Sequence, residues 1–349
     1  MDQNIRFCTA PDGVRIAYTT AGSGTPLVLC PGWISHLELD WMAPFFRAFW
    51  EPLAEKYHLV RYDRRGTGLS DRNVEDYSLE AQTGDLTAVV EAIGARRIVL
   101  FGHCTGGPIA ILYTASHPEM VSHLIFYGTY ASGNYVRVSE LADALLRLID
   151  ADWGGAGSLA MADMFFPGAS SEERQTYAAY QRMCATKETA RAQALTVTTF
   201  NAKQLVKEIQ TPALVFHKRD DKIVPFELGR QLAGNLPNGR FVPLEGDSNV
   251  IGVGSAQVTR QTIDAVLDFL AETPMAPAAN GGISPSGITS REKDVLRLIA
   301  AGKSNRQIAE ELSISVNTAD RHVSNILTKI AASNRAEAAS YAVRAGIAS

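Results

Sequence analysis

Over its first 270 residues the chain alternates between two hydrophobic patterns. Short, nearly unbroken apolar runs at 27–30 (LVLC), 58–63 (HLVRYD), 97–103 (RIVLFGH), 123–128 (HLIFYG), 213–218 (ALVFHK) and 240–244 (RFVPL) are separated by longer stretches of helical character. Unbroken runs of this length suit strands buried on both faces, and apolar positions three and four residues apart suit amphipathic helices. Ahead of them, residues 5–10 and 14–22 flank Pro11-Asp12-Gly13, the chemistry of a tight turn, and predict an opening β-hairpin. The whole pattern predicts an α/β fold, a doubly wound and largely parallel sheet covered by helices on both faces.

One crossover is too long for a single helix. About 80 residues of mostly helical character separate the run at 123–128 from that at 213–218, which predicts a helical lid over about 131–210 at the edge of the sheet where loops build binding sites. Its Trp153, Met161, Met164, Phe165, Phe166, Tyr180 and Met183 either line an apolar pocket or hold the lid helices to one another. The pocket candidates are Trp153, Met161, Phe165, Phe166 and Tyr180 among them, and His36 from outside the lid.

Beyond residue 270 the periodicity stops. Residues 271–287, AETPMAPAANGGISPSG, are rich in Ala, Pro, Gly and Ser and read as a flexible linker. From 288 to 349 four short helical stretches follow with only a few residues between them, a small all-α unit. The expected division is therefore 1–270, 271–287 and 288–349.

The net charge of −4 conceals a polarity. From Ser286 onward nine Lys and Arg stand against six Asp and Glu, leaving 24 against 31 before it, so the C-terminal unit is the basic part of an acidic chain. The N-terminus has no basic stretch leading into an apolar core, and no segment approaches the roughly 20 apolar residues that span a bilayer, so a soluble, cytoplasmic protein without membrane contact is expected. Cys8, Cys30, Cys104 and Cys184 are scattered without zinc or disulfide spacing; reduced thiols, no metal and no cofactor are expected. Neither a Walker A motif nor a receiver-type acidic pocket is visible, which excludes the usual phosphate-driven switches.

One cysteine sits in a distinctive context. Residues 97–107, RIVLFGHCTGG, run from a strand through G-x-C-x-G into a helix, and the small residues Gly102 and Gly106 suit a strained strand-to-helix turn that presents Cys104. With Pro31-Gly32-Trp33 after one strand and RYDRRGTGLSD (61–71) after the next, the region from about 5 to 270 resembles the α/β-hydrolase superfamily. That resemblance implies a nucleophile at Cys104, an acid at Asp221 (Asp220 being weaker) and a backbone oxyanion pair at Trp33 and Thr105. It also implies a histidine where this chain has Asn249, and no histidine lies between Phe241 and Leu270. An ordinary thiol is only a few per cent thiolate at neutral pH, and an amide carries no proton for it. Cys104, Asp221 and Asn249 thus read as a degenerate triad, a site that binds a small apolar or carbonyl-containing molecule without processing it. A recruited base is the alternative, with His36 best placed by position, His103 expected to point away from Cys104, and His217 at a strand end.

Residues 288–347 closely resemble the LuxR-type helix-turn-helix domain. NRQIAEEL forms the scaffold helix with Ile308, Ala309 and Leu312 inward, SIS the turn, and VNTADRHVSNILTKI the recognition helix, with Val316, Ala319, Val323, Ile326, Leu327 and Ile330 on one buried face. The resemblance places Asn317, Asp320, Arg321 and Ser324 toward base edges and Thr318 at a phosphate. Lys303, Ser304, Asn305, Arg306 and Lys329 are further DNA-backbone candidates, and Arg335 an alternative that orders the last helix. Ala319 replaces the family's usual Val, and IAAS replaces its usual Leu-Gly junction. The last helix corresponds to the family's dimerisation helix, so a homodimer on promoter DNA is expected.

These signals combine into a ligand-responsive transcription regulator with a small-molecule effector. A thiol-dependent esterase or acyl-transfer enzyme with a DNA-binding tail, and a constitutive DNA-binding protein whose N-terminal domain only oligomerises, are the alternatives.

Overall fold

The computed structural model describes residues 3–134, 140–272, 290–312, 314, 316–330, 332, 334–345 and 347–348. The chain forms two units, Met1–Pro274 and Met275–Ser349. Most of the expected linker, from 273 on, lies outside the described residues.

The first unit is built on one eight-stranded sheet: β1 (Arg6–Thr9), β2 (Arg15–Ala21), β3 (Pro26–Cys30), β4 (His58–Tyr62), β5 (Ile98–His103), β6 (Val121–Tyr127), β7 (Ala213–Lys218) and β8 (Gly239–Leu244). Their spatial order is β1-β2-β4-β3-β5-β6-β7-β8. The hairpin β1–β2 is antiparallel and β2 runs antiparallel to β4; every later neighbour is parallel. The sheet is thus mixed at one edge and parallel through its centre, where β6 is buried at all seven positions.

Alternate residues along each central strand feed two cores, as the pleat requires. On one face Val28, Leu100 and Phe126 meet helices α3 (Leu79–Ala92) and α4 (Gly106–Ser116) through Leu86, Val89, Ile109 and Tyr113. On the other, Leu29, Phe101 and Ile125 meet Phe49, Trp50 and Leu53 of α2 (Pro44–Ala54), which follows α1 (Leu37–Met42). Each such large side chain buried contributes about 1.5–3 kcal/mol, which keeps the strand ends, and the loops that leave them, in register.

Between β6 and β7 the described residues form the lid helices α5 (Glu140–Asp152), α6 (Ala156–Phe165), α7 (Ser171–Cys184) and α8 (Lys187–Thr199). α7 opens on a capping box in which Ser170 and Glu173 satisfy each other's backbone N–H groups. After β7 come α9 (Phe226–Asn235) and, after β8, α10 (Ala256–Glu272), whose Val266 and Phe269 close the second core.

The second unit holds α11 (Ser290–Ala300), α12 (Asn305–Glu311), α13 (Val316–Lys329) and α14 (Arg335–Arg344). Val295, Leu296, Ile299, Ile308, Ala309, Ala319, Val323, Ile326, Ala338 and Ala342 form its core, with Leu312, Leu327 and Ile330 partly buried against it. Val316, expected inward, is exposed: it is the first residue of α13, before the helix reaches the core. Among the described residues no helix is long and apolar enough to cross a membrane.

Candidate functional site

Strand β5 ends at His103, and Cys104 follows with φ +48°, the one left-handed non-glycine backbone among the described residues. A non-glycine residue is strained there, and such strain persists only where the surroundings impose it. They do so here: α4 starts two residues later, and a side chain at Gly106 would collide with the Cys30 carbonyl. The turn is therefore the nucleophile elbow that the glycine spacing predicts.

Cys104 is 2% exposed and packs with Tyr130, Val197 and Val224. Burial first, and the nearby Asp221 charge second, push its thiol up to about 12. At neutral pH the sulfur stays protonated, even less reactive than an ordinary free thiol.

The acid and the residue in the place of the histidine do come together. Asp221 lies in the turn after β7, where its Oδ1 accepts from the backbone N–H groups of Ile223 and Val224 at 2.8 and 2.9 Å. Asn249 Nδ2 donates to Asp221 Oδ2 at 2.5 Å and to the Gly128 carbonyl at 2.9 Å. Both partners are acceptors, so the amide orientation is fixed, and Asn249 Oδ1 is buried without a hydrogen-bond partner. Gly128, at φ +52°, leaves the room for this amide; a Cβ there would strike Nδ2 and come within 3.2 Å of Asp221 Oδ2.

The three histidines weighed as a recruited base all have hydrogen-bond partners other than Cys104. His103 Nε2 pairs with the Asn249 carbonyl oxygen at 3.0 Å, and its ring lies close against Gly32. Burial holds that imidazole down to about 4, so it is neutral. His217 Nε2 donates to the Val224 carbonyl at 2.8 Å, and burial lowers its pKa. His36, expected near the pocket, instead uses Nδ1 to cap α1, accepting the Leu39 N–H at 3.5 Å. That contact turns Nδ1 toward the first turn of α1.

The sequence reading missed Arg64. Its side chain is buried, and no carboxylate lies within ion-pair distance of it among the described residues. Nη1 donates to the carbonyls of Gly32 (2.7 Å) and Trp33 (3.2 Å) and to Thr105 Oγ1 (2.5 Å); Nε donates to Gln82 Oε1 at 2.8 Å. A trans peptide sets C=O and N–H in opposite directions, so fixing the Gly32 carbonyl aims the Trp33 N–H away from the guanidinium. Arg64 thereby ties together the two segments, Gly32-Trp33 and Thr105, from which the oxyanion pair is expected. The signal was the doubled arginine of RYDRRGTGLSD; its neighbour Arg65 does have a carboxylate, Asp85, at 2.7 Å.

Above the elbow, Trp153, Met161, Phe165, Phe166 and Tyr180 join Trp33, Ile34, Tyr177 and Val250 in one lid cluster. Tyr180 is turned by its hydroxyl, which donates to Asp40 Oδ1 at 2.6 Å. Met183 is exposed and is not part of this cluster. A groove of about 500 Å³ opens elsewhere, on the lid surface beside Gly155, Leu159, Thr176 and Arg182.

In the second unit several DNA-contact candidates have partners within the chain. Ser304 caps α12 in a capping box with Gln307, Lys303 Nζ lies 2.5 Å from Glu311, and Arg306 pairs with Glu310 at 3.4 Å. Asn305 donates to Asp320, and Ser324 bonds the Asp320 carbonyl at 3.0 Å. The side chains of Asn317, Thr318, Arg321 and Lys329 lie outside the described residues; their backbones belong to α13.

Comparison with known proteins accords with both units. The model of the alpha/beta hydrolase fold family matches residues 25–248, and that of bacterial regulatory proteins of the luxR family matches residues 286–342. Proteins of Pseudomonas savastanoi pv. phaseolicola and Stutzerimonas stutzeri that carry the provisional name carbamate hydrolase RutD are 26% and 27% identical. The matches cover 62% and 64% of this chain and 85% and 87% of theirs. Among solved structures, an esterase from Exiguobacterium antarcticum superposes with a TM-score of 0.66 at 21% identity, covering 76% of this chain and 98% of that one. A bromoperoxidase from Bacillus anthracis gives 0.63 at 22%, covering 77% and 100%. The chain belongs to the alpha/beta hydrolase fold family and carries at its C-terminal end a luxR-family DNA-binding domain.

Proposed function

We propose that the protein is a cytoplasmic transcription regulator whose hydrolase-fold unit binds a small carbonyl-containing molecule and does not turn it over. The observation that carries this reading is the fixed Asn249–Asp221 bond, which occupies the acid's free oxygen with an amide that transfers no proton. The oxyanion pair, Trp33 and Thr105, would receive the ligand's carbonyl oxygen, and the lid residues Trp153, Met161, Phe165, Phe166 and Tyr180 would enclose its apolar part. Because those residues pack on one another, a ligand has to part the lid helices. Binding then favours an open lid over a closed one, the differential affinity a switch requires. A homodimer would present two copies of α13 to promoter DNA, with Asn317, Thr318, Arg321, Ser324 and Lys329 in contact, and Lys303, Ser304 and Arg306 at the phosphates.

The name carried by the relatives favours a second reading, hydrolysis through Cys104. The protonated thiol opposes it. Hydrolysis of p-nitrophenyl acetate by the full chain separates the two. At the buffer rate, with a co-purifying molecule found by native mass spectrometry, the binding reading stands; rapid turnover abolished in Cys104→Ala overturns it.

A further inference from the structure

Asp320 is an acid on the helix that enters DNA, where a carboxylate would meet phosphate repulsion unless it reads a base or is held for another purpose. Its partners are all within the chain. Asp320, on α13, accepts from Asn305 Nδ2 on α12. Asn305 Oδ1 in turn accepts from Arg335 Nη1 of α14 at 2.7 Å, and Arg335 Nη2 donates to the Lys303 carbonyl in the turn before α12. The Asn305 amide thus turns its oxygen toward a cation and its nitrogen toward an anion, which fixes its orientation. The chain of bonds begins at the first residue of α14, passes through the first residue of α12 and ends in the second turn of α13.

We infer that Asp320 is a positioning residue: linked through Asn305 to Arg335, it sets the angle of the recognition helix on the scaffold helix. Its effect on DNA selectivity is therefore indirect. A recognition helix read at base edges loses discrimination when its tilt is free, because bidentate contacts tolerate little misplacement. The arrangement also explains how an acid persists at this face: the Arg335 charge, relayed through a polarised amide, offsets it. Asp320 and Asn305 both leave the set of direct DNA contacts that the sequence suggested.

The test uses the full chain and a duplex selected by it from a randomised pool, with a scrambled duplex as reference, in anisotropy titrations. Asn305→Asp sets two carboxylates face to face and should lower the ratio of selected to scrambled affinity about tenfold. The exchange Asn305→Asp with Asp320→Asn rebuilds the relay with its polarity reversed, since Arg335 and an amide at 320 both donate to a carboxylate at 305. It should return the ratio to within about twofold of the parent and select the same consensus. A ratio for the exchange no better than for Asn305→Asp, or an unaffected Asn305→Asp, overturns the inference. If Asn305→Asp fails to fold, as far-ultraviolet circular dichroism would report, Asp320→Ala decides: a lower ratio with an unchanged consensus supports positioning, whereas a consensus altered at one base pair shows direct reading.

Discussion

Asn249 donates to Asp221 across 2.5 Å, in the place where the fold family's resemblance implies an imidazole. The bond keeps the geometry of an acid and its partner while changing its chemistry, because a neutral amide neither accepts a proton from sulfur nor returns one. Everything else at the elbow survives: the left-handed Cys104, the close-packed Gly106, and the loop that Arg64 holds beside Thr105.

Asn249→His should therefore restore reactivity. An imidazole at 249 bonded to Asp221 puts a base beside the thiol, and general-base assistance is worth about 10²- to 10⁴-fold. Incubation with p-nitrophenyl acetate should give an acetyl adduct by intact-mass analysis in this variant and not in the parent, lost again in the double variant with Cys104→Ala. An adduct forming equally fast in the parent would mean that a base is already present.

The raised thiol pKa has a direct consequence. Alkylation follows the thiolate fraction, which rises about tenfold per pH unit well below the pKa, so native Cys104 should still be gaining reactivity toward iodoacetamide at pH 10. In the unfolded chain the same thiol titrates near its ordinary value of 9.0, so the stability tied to keeping it protonated is complete below pH 9 and is lost as the pH rises toward 12. Peptide mapping after native and denatured alkylation checks both statements; a plateau below pH 9 in the folded protein contradicts them.

Arg64→Lys should be far from conservative. A lysine ammonium cannot reproduce the fork that reaches Gln82, Gly32, Trp33 and Thr105, and buried carbonyls left without donors cost roughly 1–3 kcal/mol each. Urea unfolding of the hydrolase-fold unit should show a loss of about 3 kcal/mol or more. A change under 1 kcal/mol would mean that water replaces the guanidinium readily.

A different pH effect attaches to the lid. Burial first, then the charge of Asp63, raise Asp40 to about 7, while Tyr180, Arg61 and the His36 N–H act the other way. A carboxyl raised in the folded state stabilises most below its unfolded pKa, and that contribution is lost as pH climbs through 7. The thermal midpoint should thus fall between pH 5 and 8, and fall less in Asp40→Asn, whose amide oxygen still accepts from Tyr180. Parallel slopes for the two proteins would remove Asp40 as the cause.

How far the sequence went depends on the kind of signal. Nearly unbroken apolar runs define β3 to β7 because burial on both faces leaves few polar positions, and the elbow shows because only small residues clear Cys30. Asn249 was legible for the same reason, as a departure from a fixed pattern. Arg64 was not, since its partners are carbonyls from a loop some thirty residues away and a hydroxyl some forty away, which no local pattern encodes. His36 misled because position after a strand says nothing of the helix cap its ring completes. Lys303 and Arg306 read as exposed cations, yet each meets an acid on its own helix or next to it.

The recognition helix supplies the last prediction. In α13, Ala319, Val323 and Ile326 are buried, and helical periodicity sets positions 317, 321, 324 and 328 on the opposite side. Position 321 belongs to that set by helical spacing alone, and Arg321→Ala should cost about 1–3 kcal/mol in binding to the selected duplex and relax the preference at one base pair. It should leave the thermal unfolding of the hydrolase-fold unit untouched, because residues 1–274 form a separate unit. Loss of affinity that is uniform across sequences, with a lower salt slope, would instead assign Arg321 to a phosphate. Unchanged affinity would mean that α13 meets DNA through another face.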